Sequence, residues 1–141
     1  MTIEKAFKSY KSFLEDLTAD KLHELALYVT VDVKFCDPFH NVSGLPHMES
    51  VFRQLFNKVN NINFMITDYA ISERVVFFQW ELNGMLSGRS WTVEGVSHVT
   101  FNDHFLVTRH IEHWDAASQF YERIFFIGSI LRFLRRQISA T

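Results

Sequence analysis

The first part of the chain carries apolar residues at the spacing of an amphipathic helix. These residues are Ile3, Phe7, Tyr10, Leu14 and Leu17. Alternating steps of four and three positions place them on one helical face, and Thr2 can cap the start of that helix. A second, short helix is predicted after the sequence "LTAD", with Asp20 as its N-cap and with Leu22 and Leu25 on its apolar side.

The next two predicted elements are a strand and a helix. Residues 31–37 alternate between two faces, which predicts a strand. The face that would point inward carries Val31, Val33, Phe35 and Asp37. The sequence "NVSG" at 41–44 predicts a turn, and Pro46 suits the first turn of a third helix. The apolar stripe of this helix consists of Met48, Val51, Phe52, Leu55, Phe56 and Val59.

After the third helix the apolar period changes from helical to alternating. Strands are predicted near 62–71, 74–86, 91–101 and 105–114. The sequences "LSGRS" and "NDHF" would turn the chain between the later strands, and a last helical stretch begins at about Ala116. Helices early in the chain and antiparallel strands late predict an α+β fold. We expect a cone-shaped fold in which N-terminal helices pack on a strongly curved, mainly antiparallel sheet.

The alternation within the strands predicts which side chains face the interior. The inward set consists of Val76, Phe78, Trp80 and Leu82 on one strand and Val93, Gly95, Ser97, Val99 and Phe101 on the next. For the last strand the pattern alone leaves two alternatives open. One inward set would be Val107, Arg109, Ile111, His113 and Asp115, and the other would be Thr108, His110, Glu112 and Trp114.

The amino-acid composition indicates a large interior and excludes several classes of protein. Fifteen Phe, three Trp and four Tyr in 141 residues indicate a wide core, one that can hold a cavity. A net charge of −2 gives no basic face for nucleic acid. The single cysteine, Cys36, cannot form an intrachain disulfide and favours a reducing compartment. The N-terminus shows no secretory signal and no stretch approaches a membrane span of roughly 20 apolar residues, so we expect a cytoplasmic protein.

The C-terminal segment has a character of its own. We expect one domain over residues 1–120 and an appended basic amphipathic helix over 121–141. The apolar stripe of this helix consists of Ile127, Ile130, Leu131, Leu134 and Ile138. Arg132, Arg135 and Arg136 lie on or beside the other face, which allows peripheral contact with an anionic membrane. The alternatives are a lid over the open end of the cone or an arm that packs across a dimer.

Four segments together resemble the nuclear-transport-factor-2-like superfamily, and most closely its branch of ketosteroid isomerases and SnoaL-like polyketide cyclases. They are "VKFCDPFHNVSG" (33–44), "MESVFRQLF" (48–56), "GVSHVTFND" (95–103) and "RHIEHWD" (109–115). The resemblance places Asp37 at the mouth of a pocket. It implies that Asp37 is the general base, which moves a proton between carbons next to a carbonyl.

The resemblance also shows where this chain departs from the isomerases. Their two oxyanion donors, a tyrosine of the first helix and a late protonated aspartate, correspond here to about Phe13 and Ser97, and Tyr10 lies one turn before Phe13. We therefore do not expect true ketosteroid isomerisation. Trp114 falls where the isomerases place a pocket aromatic, which favours the second inward set and brings His110 and Glu112 into the cavity.

The candidate site combines these residues. The predicted catalytic residues are Asp37, His40 and His110, and the predicted ligand-binding residues are Phe13, Tyr10, Phe39, Trp80, Ser97, Glu112 and Trp114. Each has a structural alternative: Asp37 can simply start a turn by accepting the amides of Phe39 or His40, and His110 and Glu112 can form a surface pair. Asp115 can cap the next helix. The seven histidines show no metal-ligand spacing, and we expect neither a metal nor a cofactor.

These observations favour a protein that binds a small hydrophobic ligand in an internal pocket. Asp37 could then perform acid–base chemistry on an apolar carbonyl compound, and whether the protein is an enzyme stays open. The alternatives are a carrier without catalysis and a protein-interaction module of the same fold. The resemblance further implies a homodimer formed through the convex face of the sheet. The residues expected on that face are Gln79, Glu81, Val96, His98 and Thr100.

Overall fold

The structure is a computed structural model that describes residues 1–121 and 124–139. Its α-helices are α1 (Ile3–Glu15), α2 (Leu45–Lys58), α3 (Ala116–Gln119) and α4 (Phe125–Ile138), and a 3₁₀ helix spans Ala19–Leu27. Its strands are β1 (Val29–Cys36), β2 (Asn41–Ser43), β3 (Val59–Ser72), β4 (Val75–Leu86), β5 (Arg89–Phe101) and β6 (Val107–His113).

The described strands form one curved sheet in the order β2-β1-β6-β5-β4-β3. β1 runs parallel to β6, and every other pair of neighbours is antiparallel. The pairing of β3 with β4 shifts register between Asn60 and Asn63 and again between Ile66 and Asp68, and such bulges bend a sheet. The helices α1 and α2 pack against this sheet, which confirms the predicted α+β class and the cone-shaped arrangement.

The first helix forms as its sequence predicts. The backbone N–H of Lys5 donates to the hydroxyl of Thr2 at 3.2 Å, so Thr2 is the N-cap. Phe7 and Tyr10 on the apolar face are fully buried, and the ring of Phe7 lies 5.3 Å from that of Phe78 on β4. The helix therefore covers the concave side of the sheet.

The second predicted helix is present, but its predicted N-cap is wrong. The segment is a 3₁₀ helix, and Thr18 rather than Asp20 occupies the N-cap position. Asp20 lies one residue inside the first turn, where its carboxylate accepts a hydrogen bond from the hydroxyl of Thr18. Leu22 and Leu25 are buried, as the pattern predicts.

The region around the first strand departs from simple alternation. Val31 was expected to face inward, yet its side chain is 82% exposed. The pairing of β1 with β6 shifts register between Val29 and Lys34, and this irregularity turns Val31 outward while Val33 and Phe35 stay buried. The predicted turn at 41–44 is mostly the short strand β2, which pairs with the end of β1, and only Gly44 has a positive φ before α2 begins.

The long hairpins agree with the predicted alternation. Ser87 and Gly88 both have positive φ and connect β4 to β5 as a two-residue turn, which suits the twist of a hairpin. The inward residues predicted on β4 are all buried, and on β5 all except the half-buried Gly95. Those on β4 are Val76, Phe78, Trp80 and Leu82.

The helical stretch predicted from about Ala116 is divided into two helices, α3 and α4, among the described residues. The short helix α3 is capped by the Asp115 carboxylate, which accepts the N–H groups of Ala117 and Ser118, as the capping alternative predicts. The longer helix α4 is the extra C-terminal helix. Residues 122, 123, 140 and 141 of the predicted 121–141 segment lie outside the described residues, and the domain boundary stays a prediction. Within the described residues no helix is long and apolar enough to cross a membrane.

Candidate functional site

A cavity of about 400 Å³ lies between the concave face of the sheet and the helices α1 and α2. Its walls are mainly aromatic and aliphatic, and they include Phe35, Phe52, Phe64, Trp80, Leu82 and Val93. Most of these residues are buried members of the hydrophobic core, so the cavity extends into the core. A site of this size and polarity is typical of a small hydrophobic ligand.

Polar side chains are concentrated where β1 and β6 run side by side. Asp37, His40, His110 and Glu112 all line the cavity. The register brings Asp37 close to Glu112, because Cys36, the last residue of β1, lies opposite Ile111 of β6, and Asp37 and Glu112 are the residues that follow. We call these four residues the polar end of the cavity. Among the described residues, no group of His, Cys, Asp and Glu side chains is arranged to hold a metal ion.

The Asp37 carboxylate is held by a tight turn. Its Oδ1 accepts the backbone N–H of Phe39 at 2.8 Å and of His40 at 2.7 Å. The same oxygen lies 2.9 Å from Nδ1 of His40, and Oδ2 lies 3.1 Å from that nitrogen. The turn expected as the structural alternative for Asp37 is therefore present, and its carboxylate lines the cavity at the same time.

This turn also fixes the imidazole of His40. A carboxylate beside Nδ1 favours the form with hydrogen on Nδ1, which leaves the lone pair of Nε2 as the proton acceptor. The Asp37 side chain is only 11% exposed, whereas that of His40 is 32% exposed. Asp37 and His40 are thus a carboxylate–imidazole pair at the edge of the cavity, in which the imidazole is the more accessible group.

A second polar chain lies deeper, between α1 and β6. The hydroxyl of Tyr10 lies 2.9 Å from Nδ1 of His110, and both side chains are almost completely buried. On the other side of the ring, Nε2 of His110 lies 3.3 Å from Oε1 of Glu112, but the two atoms do not have the geometry of a hydrogen bond. Burial, together with the nearby charge of Glu112, raises the pKa of Tyr10, so its hydroxyl stays protonated.

Three residues predicted to bind a ligand do not line the cavity. Phe13 stacks on Tyr28 at 4.4 Å between ring centroids and belongs to the core behind the wall. Ser97 is fully buried and accepts a hydrogen bond from Nε1 of Trp80 at 2.8 Å, so it holds a wall residue instead. Tyr10 reaches the cavity only through His110. All three side chains are buried, yet none of them lines the cavity.

Aromatic rings surround the polar end. Phe39 lies 5.4 Å from Trp114 and 5.1 Å from Phe120, measured between ring centroids, and Trp91 lies 6.2 Å from Trp114. Tyr121 also contacts Phe39 and lines the cavity. We call these five residues the aromatic cluster. Phe39 and Trp114 were predicted, as was Trp80 in the cavity wall, and all three line the cavity.

The other three members of the aromatic cluster, Trp91, Phe120 and Tyr121, were not predicted from the sequence. Trp91 has the same strand parity as Val93, and this signal could have identified it. Phe120 and Tyr121 follow α3, where no strand alternation applies. They are held in place because Nε1 of Trp91 donates to the carbonyl of Gln119 at 2.7 Å.

The sequence matches a known protein family over most of its length. The family model of the SnoaL-like domain matches residues 10–110, which run from α1 to β6. The chain belongs to the SnoaL-like domain family. Three residues of the polar end, Asp37, His40 and His110, lie inside the matched region, and Glu112 lies beyond its C-terminal limit. Trp114, Phe120 and Tyr121 of the aromatic cluster also lie beyond that limit.

Solved structures share the fold of this SnoaL-like chain at low sequence identity. An NTF2-like protein of unknown function from Exiguobacterium sp. is 13% identical, with a TM-score of 0.68 over 78% of this chain and 98% of that chain. A SnoaL-like polyketide cyclase from Agrobacterium tumefaciens is 14% identical, with a TM-score of 0.67 over 82% of this chain and 92% of that chain.

A third structure has a ketosteroid-isomerase-like fold and comes from Catenulispora acidiphila. It is 11% identical, with a TM-score of 0.69 over 84% of this chain and 91% of that chain. No curated protein sequence matches this chain. At these identities the likeness establishes the fold alone, and the chemistry has to be argued from the residues of the cavity.

Proposed function

We propose that this protein binds a small hydrophobic molecule in its cavity, with the polar group of that molecule at the polar end. The observation that carries this proposal is the contrast between apolar and polar side chains within one cavity. About 400 Å³ is lined mostly by aromatic and aliphatic side chains, while Asp37 and His40 in the turn after β1 and His110 and Glu112 on β6 also line it. Apolar walls supply affinity, and a few converging polar groups supply orientation.

The same arrangement supports acid–base chemistry on an apolar carbonyl compound. The Asp37–His40 pair takes a proton from a carbon next to the carbonyl, and the electrons of that C–H bond move toward the carbonyl oxygen to give an enolate. The pair then returns the proton to the same or another carbon of the conjugated system, so that no oxidant or cofactor is consumed. Because Asp37 is engaged by two backbone amides, Nε2 of His40 is the atom that is better placed to exchange the proton.

Ligand binding is tested with a matched pair of variants on β5. Val93 lines the cavity, whereas Val96 lies on the outer face of the same strand. Val93→Phe fills the cavity and Val96→Phe does not. We expect the neutral fluorescent ketone prodan to bind wild type and Val96→Phe with a blue-shifted, enhanced emission, and to bind Val93→Phe at least several-fold more weakly. Equal binding to all three proteins would refute the cavity as the binding site.

Catalysis and simple carriage are separated by variants of the polar end. Conjugated ketones are incubated in deuterated buffer, and exchange of their α-hydrogens is followed by NMR. An enzyme loses this exchange in His40→Gln and Asp37→Asn while it still binds the ketone. A carrier binds equally well in all three proteins and exchanges no hydrogen above the rate in buffer. The second outcome leaves the binding proposal intact and removes the acid–base step.

We also propose that the outer face of the sheet forms a homodimer. Phe77 and Val96 are exposed there, and the rings of His98 on β5 and His113 on β6 stack with 5.3 Å between their centroids. Light scattering after gel filtration should give a dimer for wild type and a monomer for Val96→Lys. Glu73→Lys, in the exposed turn between β3 and β4, is the control that should stay dimeric.

The helix α4 supports a further proposal, peripheral contact with an anionic membrane. Its exposed apolar residues are Ile127, Ile130, Phe133, Leu134 and Ile138. Arginines near its end provide the positive charge that such surfaces attract. Co-sedimentation with vesicles that contain phosphatidylserine should be lost in Ile130→Asp and kept in Leu27→Asp, a change at an exposed leucine of the 3₁₀ helix. If neither variant changes sedimentation, α4 is no membrane contact.

A further inference from the structure

We propose that Tyr10 and His110 together present one hydrogen-bond donor, Nε2–H of His110, to an uncharged acceptor oxygen of the cavity ligand. This inference rests on the proposed ligand binding and specifies its chemistry. In this arrangement His110 contacts the ligand, and Tyr10 is a positioning residue that acts through the ring. The ligand class that fits is a neutral hydrophobic molecule with a ketone or another neutral carbonyl group.

The hydrogen bond between Tyr10 and His110 has one favoured direction. The Tyr10 hydroxyl is buried and protonated, and its only hydrogen-bond partner among the described residues is Nδ1 of His110. If Nδ1 carried a hydrogen, the hydroxyl hydrogen would have no acceptor, which is rarely tolerated in a buried group. The hydroxyl therefore donates to Nδ1, and the hydrogen of the neutral ring resides on Nε2.

The surroundings of Nε2 of His110 favour a contact with the ligand. Aromatic rings enclose the ring of His110, with Phe35 at 5.3 Å and Phe78 at 6.0 Å between centroids, so the ring is packed in one orientation. Its Nε2 has no hydrogen-bond partner among the described residues, although the side chain lines the cavity. A buried, fixed donor without a partner at the wall of a cavity is the position where a ligand oxygen completes the hydrogen bond.

The carboxylates near Nε2 favour an uncharged ligand. The carboxylates of Asp37 and Glu112 line the same end of the cavity, and Oε1 of Glu112 lies 3.3 Å from Nε2. A ligand carboxylate at Nε2 would approach both of these negative groups, and repulsion would oppose it. A neutral carbonyl oxygen accepts the hydrogen bond without that cost, and the same donor would stabilise an enolate oxygen during proton transfer.

The first part of the experiment needs no ligand. Long-range ¹H–¹⁵N NMR spectra of the histidine rings distinguish hydrogen on Nδ1 from hydrogen on Nε2. We expect His110 to show the Nε2–H form in wild type and a mixture of both forms in Tyr10→Phe, a change that a merely structural role of Tyr10 would not produce. An Nδ1–H form in wild type would overturn the inference and leave the proposed ligand binding untouched.

The second part compares prodan with its analogue in which a propyl group replaces the propionyl group. We expect His110→Leu to weaken prodan binding by roughly 2- to 10-fold, the range for one hydrogen bond, and to leave the analogue unaffected. His110→Gln keeps an amide donor and should restore part of the preference. His98→Leu, on the outer face of the neighbouring strand, is the matched control.

The outcomes separate the two proposals. Loss of the ketone preference in His110→Leu alone supports the inference. If prodan binds in the cavity but His110→Leu changes neither ligand, the inference is wrong and the proposed binding function stands. If neither compound binds wild type, the proposed binding function fails, and the inference fails with it.

Discussion

We predict that the free energy of unfolding depends on the buried hydrogen bond between Tyr10 and His110. In Tyr10→Phe the hydroxyl is lost while the buried Nδ1 of His110 remains without a donor. The cost of one unsatisfied buried acceptor is about 1–2 kcal/mol of the free energy of unfolding. For a domain of this size that loss lowers Tm by roughly 3–8 °C.

The matched control is Tyr69→Phe. The Tyr69 hydroxyl donates to the Glu4 carboxylate at 3.1 Å in an exposed position, where water can replace it. We expect that variant to lose less than about 0.5 kcal/mol. Chemical denaturation at neutral pH, with equal m values required for the comparison, gives both free energies.

The background variant His110→Leu makes the test more specific. Without Nδ1 the Tyr10 hydroxyl itself has no acceptor, so Tyr10→Phe should then be neutral or stabilising. The reasoning would be refuted if Tyr10→Phe cost the same in both backgrounds, or if it cost no more than Tyr69→Phe in the wild-type background. Either result would mean that the two side chains are close but not energetically coupled.

Three further predictions concern the wall and the mouth of the cavity. Ser97→Ala leaves the buried Nε1–H of Trp80 without an acceptor and should cost about 1–3 kcal/mol in denaturation, a loss that Trp80→Phe should relieve. Gly95→Ala places a Cβ 2.5 Å from the Trp80 ring and should cost about 2–3 kcal/mol and weaken prodan binding, whereas Gly88→Ala, in an open turn with φ +76°, should leave binding unchanged. The Ser118 hydroxyl and the helix amides lower the pKa of Asp115 below its unfolded value, so the capping contribution is present above about pH 4 and is lost as pH falls further. Asp115→Ala should therefore cost about 0.5 kcal/mol at pH 7 and progressively less as the pH falls below about 4; a loss that does not change with pH would contradict the capping role.

The parts of the fold with strong periodicity could be predicted from the sequence. The helix α1 follows a clean spacing of apolar residues with Thr2 as its cap. On β4 and β5 the alternation assigns the inward side chains, because the pairing of these strands proceeds without a register shift. Where the pairing is irregular the prediction fails, as at Val31, since a single shift reverses the faces on one side of it.

The candidate site was harder to predict than the fold. The turn at Asp37 is local, and its geometry follows from the spacing of Asp37 and His40. The contact between Tyr10 and His110 joins residues 100 positions apart, and neither local pattern nor parity contains that information. The hydrogen bond between Trp80 and Ser97 likewise depends on the register of two strands, which places Trp80 opposite Gly95 and so within reach of Ser97.

The central claim is that a small hydrophobic carbonyl compound occupies the cavity with its oxygen at the polar end. The most direct measurement is a set of intermolecular NOEs between unlabelled prodan and protein labelled with ¹³C and ¹⁵N. The account predicts NOEs from the naphthalene ring to Trp80 and Phe64, and from the propionyl group to Phe35 beside His110. NOEs confined to Phe77 and Val96 on the outer face, or to the exposed apolar residues of α4, would contradict it.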